Sequence, residues 1–194
     1  MTMYEKYCQL EIDSKWIGLE KSDTEVTYFC TPVNAQIIGW ENCIHYCFLS
    51  GYNDMVFAVN PETCVDQFVY PLAMNFTDFL RLILSCGSTT AVEQIIGWSK
   101  EQFANFVVSD DNAIHPEQQK VLDVLKTALK LEPIAQPYEY VTSVQEQFNS
   151  YNRGIEYSNE YYDTLGLERP DGTESIIKPF AFEPTTFTFV IEDK

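Results

Sequence analysis

Cys43, His45 and Cys47 alternate along one short apolar run, and alternate side chains of an extended strand share a face. Two thiols and an imidazole on one face could hold a metal ion or form an activated nucleophile. Cys64 could arrive from a neighbouring strand as a fourth ligand. Structural zinc, however, takes ligands in pairs spaced two to four apart at two places in the chain. No second pair exists here, so the expected reading is two core thiols, one strand histidine and no metal. For a nucleophile, thiol and base must meet within hydrogen-bond reach. Residues two apart on one strand lie about 6–7 Å apart, so only a cross-strand cysteine could serve.

The chain has just two histidines, His45 and His115, so acid–base chemistry would rest largely on its 29 acids. Nothing in the spacing of those acids separates a reactive pair from solvated surface. No Gly-rich loop ends in Lys-Ser or Lys-Thr, no Gly-x-Gly-x-x-Gly follows a strand, and no nucleophile elbow occurs. Asn75-Phe76-Thr77 matches a glycosylation sequon but reads better as a helix cap. The expectation is no catalytic residue and no cofactor.

Rings set beside acids are the more informative pattern. Trp40-Glu41 precedes an apolar strand, Tyr52 and Asp54 occupy the turn after it, and Glu156 to Asp163 interleaves tyrosines with carboxylates. Tyr and Trp beside carboxylates anchor basic protein surfaces by combining burial with hydrogen bonding. Trp40, Glu41, Tyr52, Asp54, Tyr157 and Tyr161 are therefore the candidate partner-binding residues. The competing reading packs the same rings inward; it is favoured for Trp40 and equally weighted for the late tyrosines.

These residues must be positioned by an α+β fold. Ile44–Leu49, Met55–Asn60 and Phe68–Tyr70 read as three antiparallel strands, because each connection is short and carries Gly, Asn, Asp or Pro. Tyr7–Ile12 and Glu25–Cys30 are further strand candidates. Asn75 then caps a helix whose Phe76, Phe79, Leu80 and Ile83 fall at helical spacing, with Gly87 ending it. Helices continue to about residue 150. A short one carries Val92 and Ile96, one is opened by the Ser99/Gln102 capping box, one has Pro116 in its first turn, and one runs from Pro137 through Phe148. Thr185–Ile191 alternates as a half-buried C-terminal strand. With no repeat or linker, residues 1–194 are expected to form one domain: an antiparallel sheet packed against helices.

The net charge of −17 is spread over both halves of the chain. It repels phosphate backbones and anionic membrane surfaces and steers cations inward, so no nucleic acid and no membrane is expected, and a basic protein is the natural partner; the equally weighted alternative is that the acidity only keeps the protein in solution. Six cysteines without a charged-then-apolar N-terminus point to a reduced, cytoplasmic protein with buried thiols. No apolar run approaches the ~18 residues of a spanning helix.

Over residues 44–84 the chain resembles the SUKH superfamily of fungal cell-wall-synthesis regulators and bacterial immunity proteins. The resemblance rests on the Gly51-Tyr52-Asn53-Asp54 turn, Val56-Phe57-Ala58-Val59-Asn60, and the Asn75-Phe76-x-x-Phe79-Leu80 helix. It implies an α+β domain that binds proteins without catalysis, in bacteria by neutralising a toxin domain. Residues 1–40 lack the Leu-Pro and Asn-Gly motifs with which that family usually opens. Two other functions stay open: an enzyme using carboxylates or a cross-strand Cys/His pair, and a self-associating structural module.

Overall fold

The computed structural model describes residues 1–21, 27–62, 67–151 and 154–173. At its centre is an antiparallel sheet in the order β1 (Gln36–Glu41), β2 (Ile44–Phe48), β3 (Val56–Val59), β4 (Val69–Ala73). Each strand pairs with the next in sequence, as short turns dictate. The second and third strands coincide closely with those expected, while the fourth starts one residue later than Phe68–Tyr70 and runs three residues further, through Pro71 to Ala73. β1 was not anticipated, because its partner turn is Asn42-Cys43 with Asn42 at φ 52°, lacking the usual glycine. Pro71 lies in β4, the outer strand, where one missing donor is tolerated.

Strand alternation divides the sheet between two cores. Tyr46, Val56, Ala58, Tyr70 and Leu72 face the larger core, together with α2 (Phe76–Cys86). The Asn75 side chain caps α2 by accepting the Asp78 N–H at 2.8 Å, and Gly87 closes it at φ 91°. Phe76, Phe79, Leu80, Leu82 and Ile83 are all fully buried, as a core helix lying on a sheet requires. Cys47, Phe57, Val59 and Val69 face the smaller core behind the sheet.

The remaining helices surround this frame: α3 (Thr89–Gln94), α4 (Lys100–Val107), α5 (Pro116–Leu129), α6 (Pro137–Tyr151) and α7 (Asn159–Leu165). Both bonds of the expected Ser99/Gln102 capping box are made. α6 lies along β4, with Val141 in the larger core, Val144 in the smaller and Tyr140 touching both. No helix of the described residues is long and apolar enough to cross a membrane.

Two strand expectations are corrected. Residues 7–12 do not form a strand: α1 (Met3–Cys8) ends within them, and residues 9–12 leave it as a turn and irregular chain. Thr2 and Glu5 close a capping box around its first turn, which brings Tyr4 and Tyr7 edge-on against Phe76. In Glu25–Cys30 the described part, from residue 27, is a turn. Thr31 N–H donates to the Tyr28 carbonyl at 2.9 Å, and Thr31 Oγ1 accepts the Tyr28 N–H at 2.8 Å. The C-terminal strand at 185–191 lies outside the described residues, as does Cys64.

Candidate functional site

The six candidate residues do not form one site: Trp40 and Glu41 lie at one end of the sheet, while Tyr52, Tyr157 and Tyr161 pack against the smaller core. β2 runs away from the Asn42 turn and β3 returns to it, so Trp40-Glu41 and Tyr52-Asp54 mark opposite ends of the sheet. A strand of five residues puts those ends about 15 Å apart. Tyr157 and Tyr161 lie behind the sheet, with ring centroids 3.9 Å apart and Tyr161 against Phe29 and Phe68. Tyr161 and Tyr157 therefore serve largely as packing for the 154–165 segment, which the Val33 N–H also ties at 2.9 Å to the Glu156 carbonyl. Tyr52 is half-buried on Phe57 and Phe148. Asp54 accepts the Phe76 N–H at 3.4 Å, where its charge suits the first turn of α2.

Trp40 and Glu41 belong to a more developed site. Trp40 is fixed by a reciprocal pair of backbone bonds to Glu20, both 2.9 Å. Its half-buried indole leans on Tyr28 at 5.7 Å and on His45 at 4.8 Å. Glu41 accepts from the Thr90 hydroxyl at 3.2 Å. Burial raises its carboxyl above the ordinary range; the Thr90 bond opposes this and the Glu20 charge adds to it. Gly18, at φ 74°, makes room for this carboxylate. A Cβ there would lie 1.9 Å from Thr89 Oγ1 and 2.8 Å from Glu41 Oε2. The Thr89 hydroxyl instead donates to the Gly18 carbonyl at 2.9 Å.

Glu93 and Glu62 complete the site, and neither was among the sequence candidates. Tyr70 donates its hydroxyl to Glu93 at 2.7 Å, with Asn60 and Gln94 amides at 3.4 Å. Glu62 is exposed on the turn after β3 and accepts from the Cys43 thiol at 3.5 Å. Glu62 and Glu93 both act on Cys43, Glu20 acts on Glu41, and Glu41, Glu93 and Cys43 all act on the buried Tyr46 hydroxyl, which links the four carboxylates in one electrostatic neighbourhood. Among the described residues no cation lies within ion-pair distance of Glu20, Glu41, Glu62 or Glu93. The grouping is topological: residues 41, 43, 62 and 93 meet only once β1, β2 and β3 have paired and α3 has packed against Tyr70 of β4.

The chemistry of the thiol and imidazole follows from these surroundings. Burial, then the Glu62 bond and charge, push the Cys43 thiol up, so it stays protonated and unreactive near neutrality. His45 is fully buried and stacks on Tyr28 at 5.5 Å with rings 17° from parallel. Burial lowers its pKa to about 4, and among the described residues neither ring nitrogen has a hydrogen-bond partner. Cys47 is pushed up to about 12 by burial. His115 caps α5 by accepting the Glu117 N–H at 3.2 Å and stacks on Trp16 at 4.6 Å. Among the described residues no group of three or more His, Cys, Asp or Glu could hold a metal. What the arrangement offers is an acidic rim around half-buried rings, suited to a cationic partner.

The chain matches no family model, no curated protein and no solved structure.

Proposed function

We propose that this protein is a non-catalytic binding domain that receives a basic protein at the acidic end of its sheet. The observation that carries this reading is the grouping of Glu20, Glu41, Glu62 and Glu93 beside the half-buried Trp40 and Tyr28, with none of the four in an ion pair among the described residues and Lys15 acting on Glu20 only from beyond that distance. Like charges brought together cost stability, and a partner's Lys or Arg would relieve that cost while its aliphatic stem covers the rings. Trp40 and Glu41 are the central contacts. The SUKH-like order of strands, Asn-capped helix and acidic surface supports one finer statement: the partner is a toxin domain with a basic active cleft, which the acidic end occupies.

The test is retention of partners from native extract at low and high salt. The wild type is expected to retain a basic protein at about 0.05 M salt and release it near 0.5 M, because screening shortens with ionic strength. Retention of no basic protein at low salt would contradict the reading.

A further inference from the structure

Residues 154–173 cover part of the smaller core and are held there mainly by aromatic rings. Ile155, Tyr157 and Tyr161 pack on that core, with the Tyr161 ring 6.4 Å from Phe29 and 6.3 Å from Phe68. Among the described residues one isolated β-bridge joins the segment to the rest of the protein, with Pro32 opposite Tyr157. Beside it the Val33 N–H donates to the Glu156 carbonyl at 2.9 Å. Other bonds close the segment on itself. The Leu167 N–H donates to the Tyr162 carbonyl at 2.8 Å, and the Arg169 guanidinium donates to the Asp163 carboxylate at 2.7 Å.

The segment is also electrically unbalanced. Glu156, Glu160, Asp163, Glu168 and Asp171 stand against a single base, Arg169, on a chain that carries −17. Repulsion from the rest of the protein therefore opposes docking. Once undocked, α7 is too short at seven residues to keep its helix alone, so docking and helix formation are one event.

The same contacts lead to the acidic end of the sheet. The segment meets the turn at 28–33 through three residues: Phe29 by its ring, Pro32 by the bridge and Val33 by its N–H. That turn is closed by the paired Tyr28–Thr31 bonds, and its Tyr28 ring stacks on His45 and leans on Trp40.

We propose that residues 154–173 form a strap that undocks as a unit well short of global unfolding, and that its docking holds Tyr28 beside Trp40. Docked, the strap completes the ring surface next to Glu41; undocked, it releases Tyr28 and weakens that surface. This regulatory role rests on the reading of the acidic end as the binding site, whereas the undocking itself does not.

The test combines amide hydrogen exchange with fluorine NMR of the fluorotryptophan-labelled protein, both without a partner. The Val33 and Leu167 amides are expected to exchange through one shared opening, about tenfold or more faster than the α2 amides. Raising salt from about 0.05 M to 0.5 M is expected to slow both, because screening weakens the repulsion. Tyr161→Ala is expected to speed both about tenfold and to shift the Trp40 signal while those of Trp16 and Trp98 stay in place. Glu156→Gln/Glu168→Gln keeps every ring and is expected to slow both amides at low salt. Exchange of either amide as slow as α2, separate openings for the two, exchange that quickens with salt, or an unmoved Trp40 signal in Tyr161→Ala would each overturn the proposal. These readouts need no partner, so capture from extract can fail with the strap upheld, and the strap can fail with capture retained.

Discussion

His45 is the residue whose surroundings carry the sharpest consequence. Above its ordinary pKa of 6.5 the imidazole is neutral in both folded and unfolded chains. Below 6.5 the unfolded chain takes up a proton that the folded protein refuses until about pH 4. Stability should therefore fall as pH drops from 6.5 to 4 and then level off, by about 3 kcal/mol in all. His45→Phe keeps the stack on Tyr28 and the tilted contact with Trp40 while removing two polar atoms that have no hydrogen-bond partner among the described residues. Urea unfolding at pH 7 and pH 4 is expected to show a variant at least as stable as wild type at pH 7, lacking this share of the acid loss. An identical acid loss in both would refute the assignment. Cys43 is tested by alkylation: iodoacetamide should modify the exposed Cys8 faster, and Glu62→Gln should speed modification of Cys43. The shared face of His45 and Cys47 could be read from alternation. The Cys43–Glu62 bond could not, because those residues meet only across two strands.

At the scale of elements, the legible parts were those whose signal is local. Asn75 with Asp78, Ser99 with Gln102, and Pro116 each identify a helix start from side-chain chemistry within four residues. Ser99→Ala should lower stability by about 1 kcal/mol in thermal unfolding, the usual worth of such a cap. The Thr2/Glu5 box obeys the same rule, yet Tyr7–Ile12 read as a strand, and packing of Tyr4 on Phe76 and Phe48 shows why the chain before it is helical. β1 was hidden for another reason. Its bulge between Ile37 and Gly39 interrupts the alternation, and Gly39 is there because a Cβ would lie 2.9 Å from the Leu19 backbone. Gly18→Ala should cost about 2–3 kcal/mol, since it strains the backbone at φ 74° and displaces both Thr89 and Glu41. A variant as stable as wild type would show that the 3₁₀ turn at Ser14–Ile17 does not support the site.

Across the whole molecule, the negative charge that composition makes plain is concentrated by the fold. The chain carries 29 acids, and folding gathers Glu20, Glu41, Glu62 and Glu93 around two rings at one end of the sheet. Bulk charge and a local site make different claims, and one comparison separates them. Affinity for the partner retained at low salt should be measured for wild type and Glu41→Gln/Glu62→Gln/Glu93→Gln. The third protein is an equal-charge control, Glu101→Gln/Asp110→Asn/Asp111→Asn, altered at exposed acids elsewhere. Loss of three well-placed contacts should weaken binding at least tenfold, about 1.4 kcal/mol or more, while the control stays within about threefold of wild type. Equal weakening of both variants, or of neither, would contradict a binding site at the acidic end of the sheet.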